Sequence, residues 1–197
     1  MPTVILEAPP ALPWPTDRLV TGEELLNHPE WGNCELIRGK VVPVCRPNSQ
    51  HGYLMLEVGA ELRSFVKKRK LGTVIVGDAG VYLETDPDTV RGPDVYFISA
   101  KKMPINAIPP SFQKLPPELC VEIVSPRDKS AEGKEKIAQF LAMGVNLIWV
   151  IDPKKRTAQI LRQNGTVSVV PTDGVLSGED ILPGFELALT DLFAALG

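Results

Sequence analysis

The sequence predicts an α/β fold, a mixed β-sheet flanked by helices with additional β-hairpins. Three observations carry this expectation. Two short segments, residues 119–124 and 146–151, are apolar almost throughout, as strands buried on both faces are. Two longer segments, residues 48–70 and about 130–143, repeat apolar residues at helical spacing. Strands and helices alternate along the chain, which is the order of a sheet covered by helices. With 197 residues and a hydrophobic fraction of 44%, the chain is long enough for one sizeable core. We expect an N-terminal arm and short helix over 1–30, then a single domain over 31–197.

Residues 1–16 are rich in proline and lack periodicity, so they read as an irregular arm. Thr21 with Glu24 three residues on is a capping-box pattern and predicts a short helix. CELIRGKVVPVC reads as a β-hairpin around Arg38-Gly39-Lys40, with Pro43 placing the second strand near an edge. The first long helix spans 48–70 with Ser49 as N-cap. Leu54, Val58, Leu62 and Phe65 form its buried stripe, on which His51 and Glu61 also fall. Lys67-Lys68-Arg69-Lys70 and then Gly72 suit a helix end, because cations favour the negative dipole end and glycine accepts the left-handed cap.

Residues 73–76, 80–83 and 95–98 predict strands, with a turn at 85–88. Residues 100–117 form a long connection containing prolines, of the kind that is often functional. The segment 119–124 is a central strand ended by Ser125-Pro126. The second helix runs from about Ser130 to Met143, closed by Gly144. A strand at 146–151 follows, then a hairpin with a type I′ turn at Asn164-Gly165. A short segment at 180–185 and a final helix at 189–196 complete the chain.

The net charge of −3 argues against a basic, sequence-blind nucleic-acid coat protein. Three cysteines without a C-x-x-C spacing suggest a reducing compartment and no zinc site. No basic region leads into an apolar run and no 18-residue apolar stretch occurs, so a cytoplasmic protein without a membrane span is expected.

Asp94 opens one apolar strand and Glu122 sits inside another. A carboxylate there costs several kcal/mol of desolvation, on the order of 3–5, unless it is paired, protonated or bound to a metal. Two carboxylates on adjacent strands are a minimal Mg²⁺ site, because Mg²⁺ takes oxygen ligands and keeps several waters. The Ile123 carbonyl beside Glu122 is a further candidate ligand. A lysine on the next helix would neutralise charge building on a phosphate. On the helical wheel Ile137, Phe140 and Leu141 define the buried arc, with Lys136 flanking one side and Lys134 the other; the wheel does not choose. The competing readings are a turn cap for Asp94, an ion pair with a core arginine for Glu122, and a solvated helix lysine for Lys136.

Pro93-Asp94, Glu122 in an apolar strand and a helical lysine together resemble the PD-(D/E)xK, or restriction-endonuclease-like, superfamily. The ordered set ELIRGKVV, HGYLMLEV, GPDVYF, CVEIVSP, EKIAQFLAMGVNLIWVIDP and LPGFELAL is similar to a large bacterial branch of it, provisionally labelled endonucleases. The resemblance spans about residues 34–190. The lysine expected two residues after the acid is Val124 here; in that branch it sits on the following helix, which maps to Lys136. The resemblance also maps Glu35 and His51 to accessory positions bordering the metal, and nothing to Glu61. It implies a restriction-endonuclease-like fold and a Mg²⁺- or Mn²⁺-dependent enzyme hydrolysing DNA phosphodiesters, with catalytic Asp94, Glu122 and Lys136. Nucleases of this superfamily often act as dimers, so it implies a homodimer with two active sites. The alternative is a non-cleaving nucleic-acid-binding or regulatory module on the same fold.

Overall fold

The computed structural model describes residues 12–125 and 131–196. Most of the N-terminal arm (1–11), Pro126 and the expected helix start at Ser130 lie outside the described residues. In chain order the elements are α1 (Gly22–Asn27), β1 (Cys34–Ile37), β2 (Lys40–Pro43), α2 (Ser49–Arg69), β3 (Gly72–Val76), β4 (Val81–Glu84) and β5 (Thr89–Arg91). They continue with β6 (Val95–Ser99), β7 (Leu119–Ile123), α3 (Ala131–Met143), β8 (Leu147–Asp152), β9 (Thr157–Arg162), β10 (Val167–Val170), β11 (Val175–Ser177), β12 (Glu186–Ala188) and α4 (Leu189–Leu192).

A six-stranded sheet in the order β10-β9-β8-β7-β6-β3 forms the centre. Its β7–β8 pair is parallel and its other pairs are antiparallel, so the sheet is mixed. The parallel pair needs a crossover, and α3 supplies it. Side chains alternate across the pleat. Val95, Phe97, Val121, Ile123, Leu147 and Trp149 share a buried cluster with Leu54, Val58, Leu62 and Val66 of α2. Tyr96, Ile98, Cys120 and Ile148 share another with Phe140 of α3. Each face of the sheet is thus buried under one helix, which is why these strands read as apolar throughout. Phe185 joins the α2-side core, stacking on Trp149 at 5.7 Å, so the LPGFELAL segment closes that core.

A second sheet, in the order β2-β1-β5-β4, stands beside the first. β2 lies at its edge, where Pro43 costs no ladder bond. Val20, Leu25, Trp31, Leu36 and Val90 pack together against it. Thr21 caps α1 in the expected capping box.

Several local expectations are corrected. α2 is capped by Asn48, whose side-chain oxygen accepts the His51 backbone N–H at 2.9 Å, and not by Ser49. The left-handed residue at its end is Lys70 (φ 55°), not Gly72. Gly72 is needed elsewhere: a Cβ there would stand 2.1 Å from the Ile98 carbonyl oxygen, so it lets β3 lie against β6. At the β9–β10 turn Gly165 has φ +83° while Asn164 does not have a positive φ, and Arg162 N–H bonds to Thr166 across three residues. This is a three-residue loop closed by a left-handed glycine instead of a type I′ turn. The two-residue turn with both centres left-handed is Arg38-Gly39. β5 is absent from the sequence expectation because three residues carry no readable period. The final helix is split into α4 and a 3₁₀ turn at Ala194–Leu196.

Candidate active site

The pleat of the central sheet decides which side chains meet. Val95 pairs with Val121 in the antiparallel β6–β7 ladder, which sets Asp94 across from Glu122. Val95 and Val121 point under α2, so by alternation Asp94 and Glu122 lie on the opposite face, the one α3 covers. Phe140 anchors α3 in that face, and Lys136 lies one turn before it on the same side of the helix.

Lys136 is drawn inward, with its side chain only 15% exposed. Its ammonium donates to Glu122 Oε2 at 3.1 Å and to the Gly92 carbonyl at 2.7 Å, and stands 3.4 Å from Glu35 Oε1. Lys134, the rival on the wheel, is exposed. Asp94 is buried: its Oδ1 lies 2.9 Å from His51 Nε2, and its Oδ2 accepts the Ile123 N–H at 2.5 Å. Ile123 therefore reaches the site through its backbone. The Asn48 cap fixes His51 in the first turn of α2, from which the ring reaches Asp94. Glu35 is buried on β1, accepting from Arg91 Nε at 2.7 Å and from the Gly92 N–H at 3.3 Å. The structure thus brings Asp94, Glu122, Lys136, His51 and Glu35 together, and leaves Glu61 exposed on α2.

Two neighbours escaped the sequence reading. Arg91 is a buried arginine, and it pairs with Glu35 and not with Glu122. It also donates to Gln139 Oε1 at 3.3 Å and Glu132 Oε1 at 3.4 Å, so it ties β5 and β1 to α3. The only sequence signal was its place ahead of Gly92-Pro93-Asp94. Asp78, in the β3–β4 turn, sets its carboxyl beside that of Asp94. In the sequence a lone Asp after a glycine reads as turn chemistry.

Glycine at 92 is required by this packing. A Cβ there would stand 2.2 Å from the Asp78 carbonyl oxygen, a backbone atom with little freedom to retreat. Gly92→Ala is expected to destabilise the fold by about 1–3 kcal/mol, the range for overpacking, as read by chemical denaturation. It would also displace the carbonyl that holds Lys136.

Burial pushes the Glu122 carboxyl up from 4.5 to about 8, against the pull of Lys136, with Asp94 and Glu35 adding to the rise. Burial and the contact with Asp94 likewise raise Asp78 from 3.8 to about 6. Burial pulls Lys136 down, but Glu122, Glu35 and Asp94 outweigh it and its ammonium is held above the ordinary range. Between about pH 4.5 and 8 the folded chain keeps a proton on Glu122 that the unfolded chain has released. Stability therefore falls as pH rises through that window. Thermal melts of metal-free protein should show this decline, and Glu122→Gln should flatten it.

Among the described residues no three His, Cys, Asp or Glu side chains form a ready-made metal cluster. The donors that do meet are nonetheless suited to a hard divalent cation. Glu122 Oε1 is buried and has no hydrogen-bond partner among the described residues. A buried acceptor without a donor is costly, and a cation would satisfy it. An ion that completes its shell with water and phosphate oxygens needs only one or two carboxylates. A cavity of about 60 Å³ is lined by Glu35, Asp78, Gly92 and Lys136 among others. A larger depression of about 690 Å³ lies between α2 and β3, away from the carboxylates. No helix among the described residues is long and apolar enough to cross a membrane.

Comparison with known proteins agrees with this architecture. A crystal structure of a "putative nuclease belonging to DUF820" from Anabaena variabilis ATCC 29413 superposes with a TM-score of 0.76. It is 22% identical and the match covers 89% of this chain and 98% of that one, which shows a shared fold. Among curated proteins none matches. The sequence profile of the Uma2 family, described as "Putative restriction endonuclease", matches residues 23–190. That match spans most of the sequence, and the chain belongs to the Uma2 family.

Proposed function

We propose that the protein is an endonuclease that hydrolyses DNA phosphodiester bonds with Mg²⁺ or Mn²⁺. The observation that supports this most is the meeting of Asp94, Glu122 and Lys136 on one face of the sheet, with a buried Glu122 oxygen that has no donor among the described residues. Asp94, Glu122 and the Ile123 carbonyl would hold the ion. When bound, the ion supplies Lewis acidity at the scissile phosphate and a water of lowered pKa.

The chain's own residues do the rest. His51 and the Ile123 N–H fix the two oxygens of Asp94, so its carboxylate needs no reorganisation on binding. Lys136 holds positive charge beside Glu122, where it can stabilise the negative charge that develops on the phosphoryl oxygens. Glu35, pinned by Arg91 and the Gly92 N–H, orients that ammonium. Cutting both strands of a duplex calls for two such sites, which a homodimer would supply.

The test is cleavage of plasmid and single-stranded DNA with Mg²⁺ or Mn²⁺, by wild type, Asp94→Ala and Glu122→Ala. Cutting by wild type alone supports the proposal. Metal-dependent cutting that survives both substitutions removes the site assignment. Folded wild type that cuts neither DNA with either metal is the result expected of a non-cleaving module.

A further inference from the structure

We infer that Asp78 is a positioning residue of this site: its carboxyl group accepts a hydrogen bond from a water of the divalent cation that Asp94 and Glu122 hold. The inference rests on the metal-dependent reading above and adds to it a residue outside every strand and helix of the fold.

The backbone is the first observation. Gly77 (φ 93°) and Asp78 (φ 56°) are consecutive residues in the left-handed region. That region is unfavourable for most side chains, and aspartate is among the few that enter it at modest cost. The turn is locked on both flanks of the Gly92-Pro93-Asp94 segment. The Gly77 N–H donates to the Asp94 carbonyl at 3.1 Å. On the other flank the Asp78 carbonyl lies so close to Gly92 that a Cβ there would stand 2.2 Å from it. Asp78 is thus clamped to the segment that presents Asp94.

The side chain is the second observation. Asp78 is half-buried, sets its carboxyl beside that of Asp94, and lines the cavity of about 60 Å³ together with Glu35 and Lys136. Two carboxyl groups in contact away from bulk water repel unless a proton or a cation lies between them. The turn packs its backbone against Gly92 and thereby forces this contact. It also places an acceptor beside Asp94, at the edge of a cavity with room for a water that Glu35 and Lys136 line as well. Divalent cations of the Mg²⁺ class keep several waters, and groups that hold those waters orient the whole shell.

Mn²⁺ binding to the purified full chain, measured by calorimetry without DNA, tests this separately from activity. Asp78→Asn keeps the shape and tolerates the left-handed backbone; Asp78→Gly removes the carboxyl and the backbone strain together. Both are expected to weaken Mn²⁺ binding by about 10- to 100-fold, the usual cost of losing such a partner. In chelated protein the melting temperature of Asp78→Asn should equal or exceed that of wild type, because a repulsive pair is relieved. A purely structural role would lower it. If Asp94→Asn loses Mn²⁺ while both Asp78 variants bind as tightly as wild type, Asp78 plays no part and the site reading stands. If both Asp78 variants melt well below wild type without metal, the residue is structural and the inference fails. If wild type itself binds no Mn²⁺, the metal-dependent reading and this inference fall together.

Discussion

Asp94→Ala is expected to abolish DNA cleavage, with a loss of about 10³-fold, the upper range for removing one preorganised electrostatic group from an active site. The carboxylate is buried and fixed by two partners, His51 Nε2 and the Ile123 N–H. Alanine would strand the Ile123 N–H, so a stability loss of about 1–3 kcal/mol should accompany the change. Asp94→Asn separates the two effects. It preserves shape and one acceptor oxygen, and it should stay folded while remaining inactive. Initial rates of plasmid nicking with Mg²⁺, set beside thermal melts of the same samples, read both. An Asp94→Asn variant that nicks at the wild-type rate would show that the carboxylate is not a ligand.

Lys136→Ala should have the second largest effect, and on two quantities. The ammonium is shared among Glu122, Glu35 and the Gly92 carbonyl, all largely withdrawn from solvent. Removing it leaves buried acidic groups without their counter-charge, which costs about 3–5 kcal/mol. Protonation of Glu122, already raised toward about 8, relieves part of that cost, so the loss should be smaller at pH 6 than at pH 8.5. Cleavage should fall by about 10²-fold or more from the lost charge stabilisation. Lys134→Ala, two residues earlier and exposed, should change stability by less than about 0.5 kcal/mol and leave cleavage intact. Chemical denaturation at the two pH values, with nicking rates for both variants, distinguishes the two lysines. Equal effects at 134 and 136 would contradict the assignment.

Glu122 was legible in the sequence because an acid inside LCVEIV breaks a rule that the rest of the strand obeys. Asp94 was legible because it immediately precedes a second apolar strand. The parity of the pleat then places both acids on one face once the β6–β7 register is known. That register is a tertiary fact which no local pattern states, and the same holds for Lys136 against Lys134. Both lysines border the apolar arc; only the crossover from β7 to β8 decides which one faces the sheet. Arg91 and Asp78 were not legible for a different reason. Arg91 ends a strand of only three residues and Asp78 lies in a turn, and each meets a long-range partner, Glu35 in one case and Asp94 in the other. The misread caps share a cause. Gly72 and Asn164-Gly165 carry strong local preferences, but close strand approach at Gly72 and a longer loop at Gly165 use those residues differently. Where several levels of pattern agreed, as on α2 and the apolar strands, the sequence expectation matches the fold.

The central claim is that Asp94 and Glu122 share one divalent cation. Anomalous scattering from Mn²⁺ in crystals of the wild-type protein tests it most directly. A single strong peak is expected about 2.1 Å from an oxygen of each carboxylate, the distance typical of such hard cations, with Lys136 still facing the same cavity. Saturating Mn²⁺ with no peak between these two side chains, or a peak bound elsewhere in the chain, would contradict it.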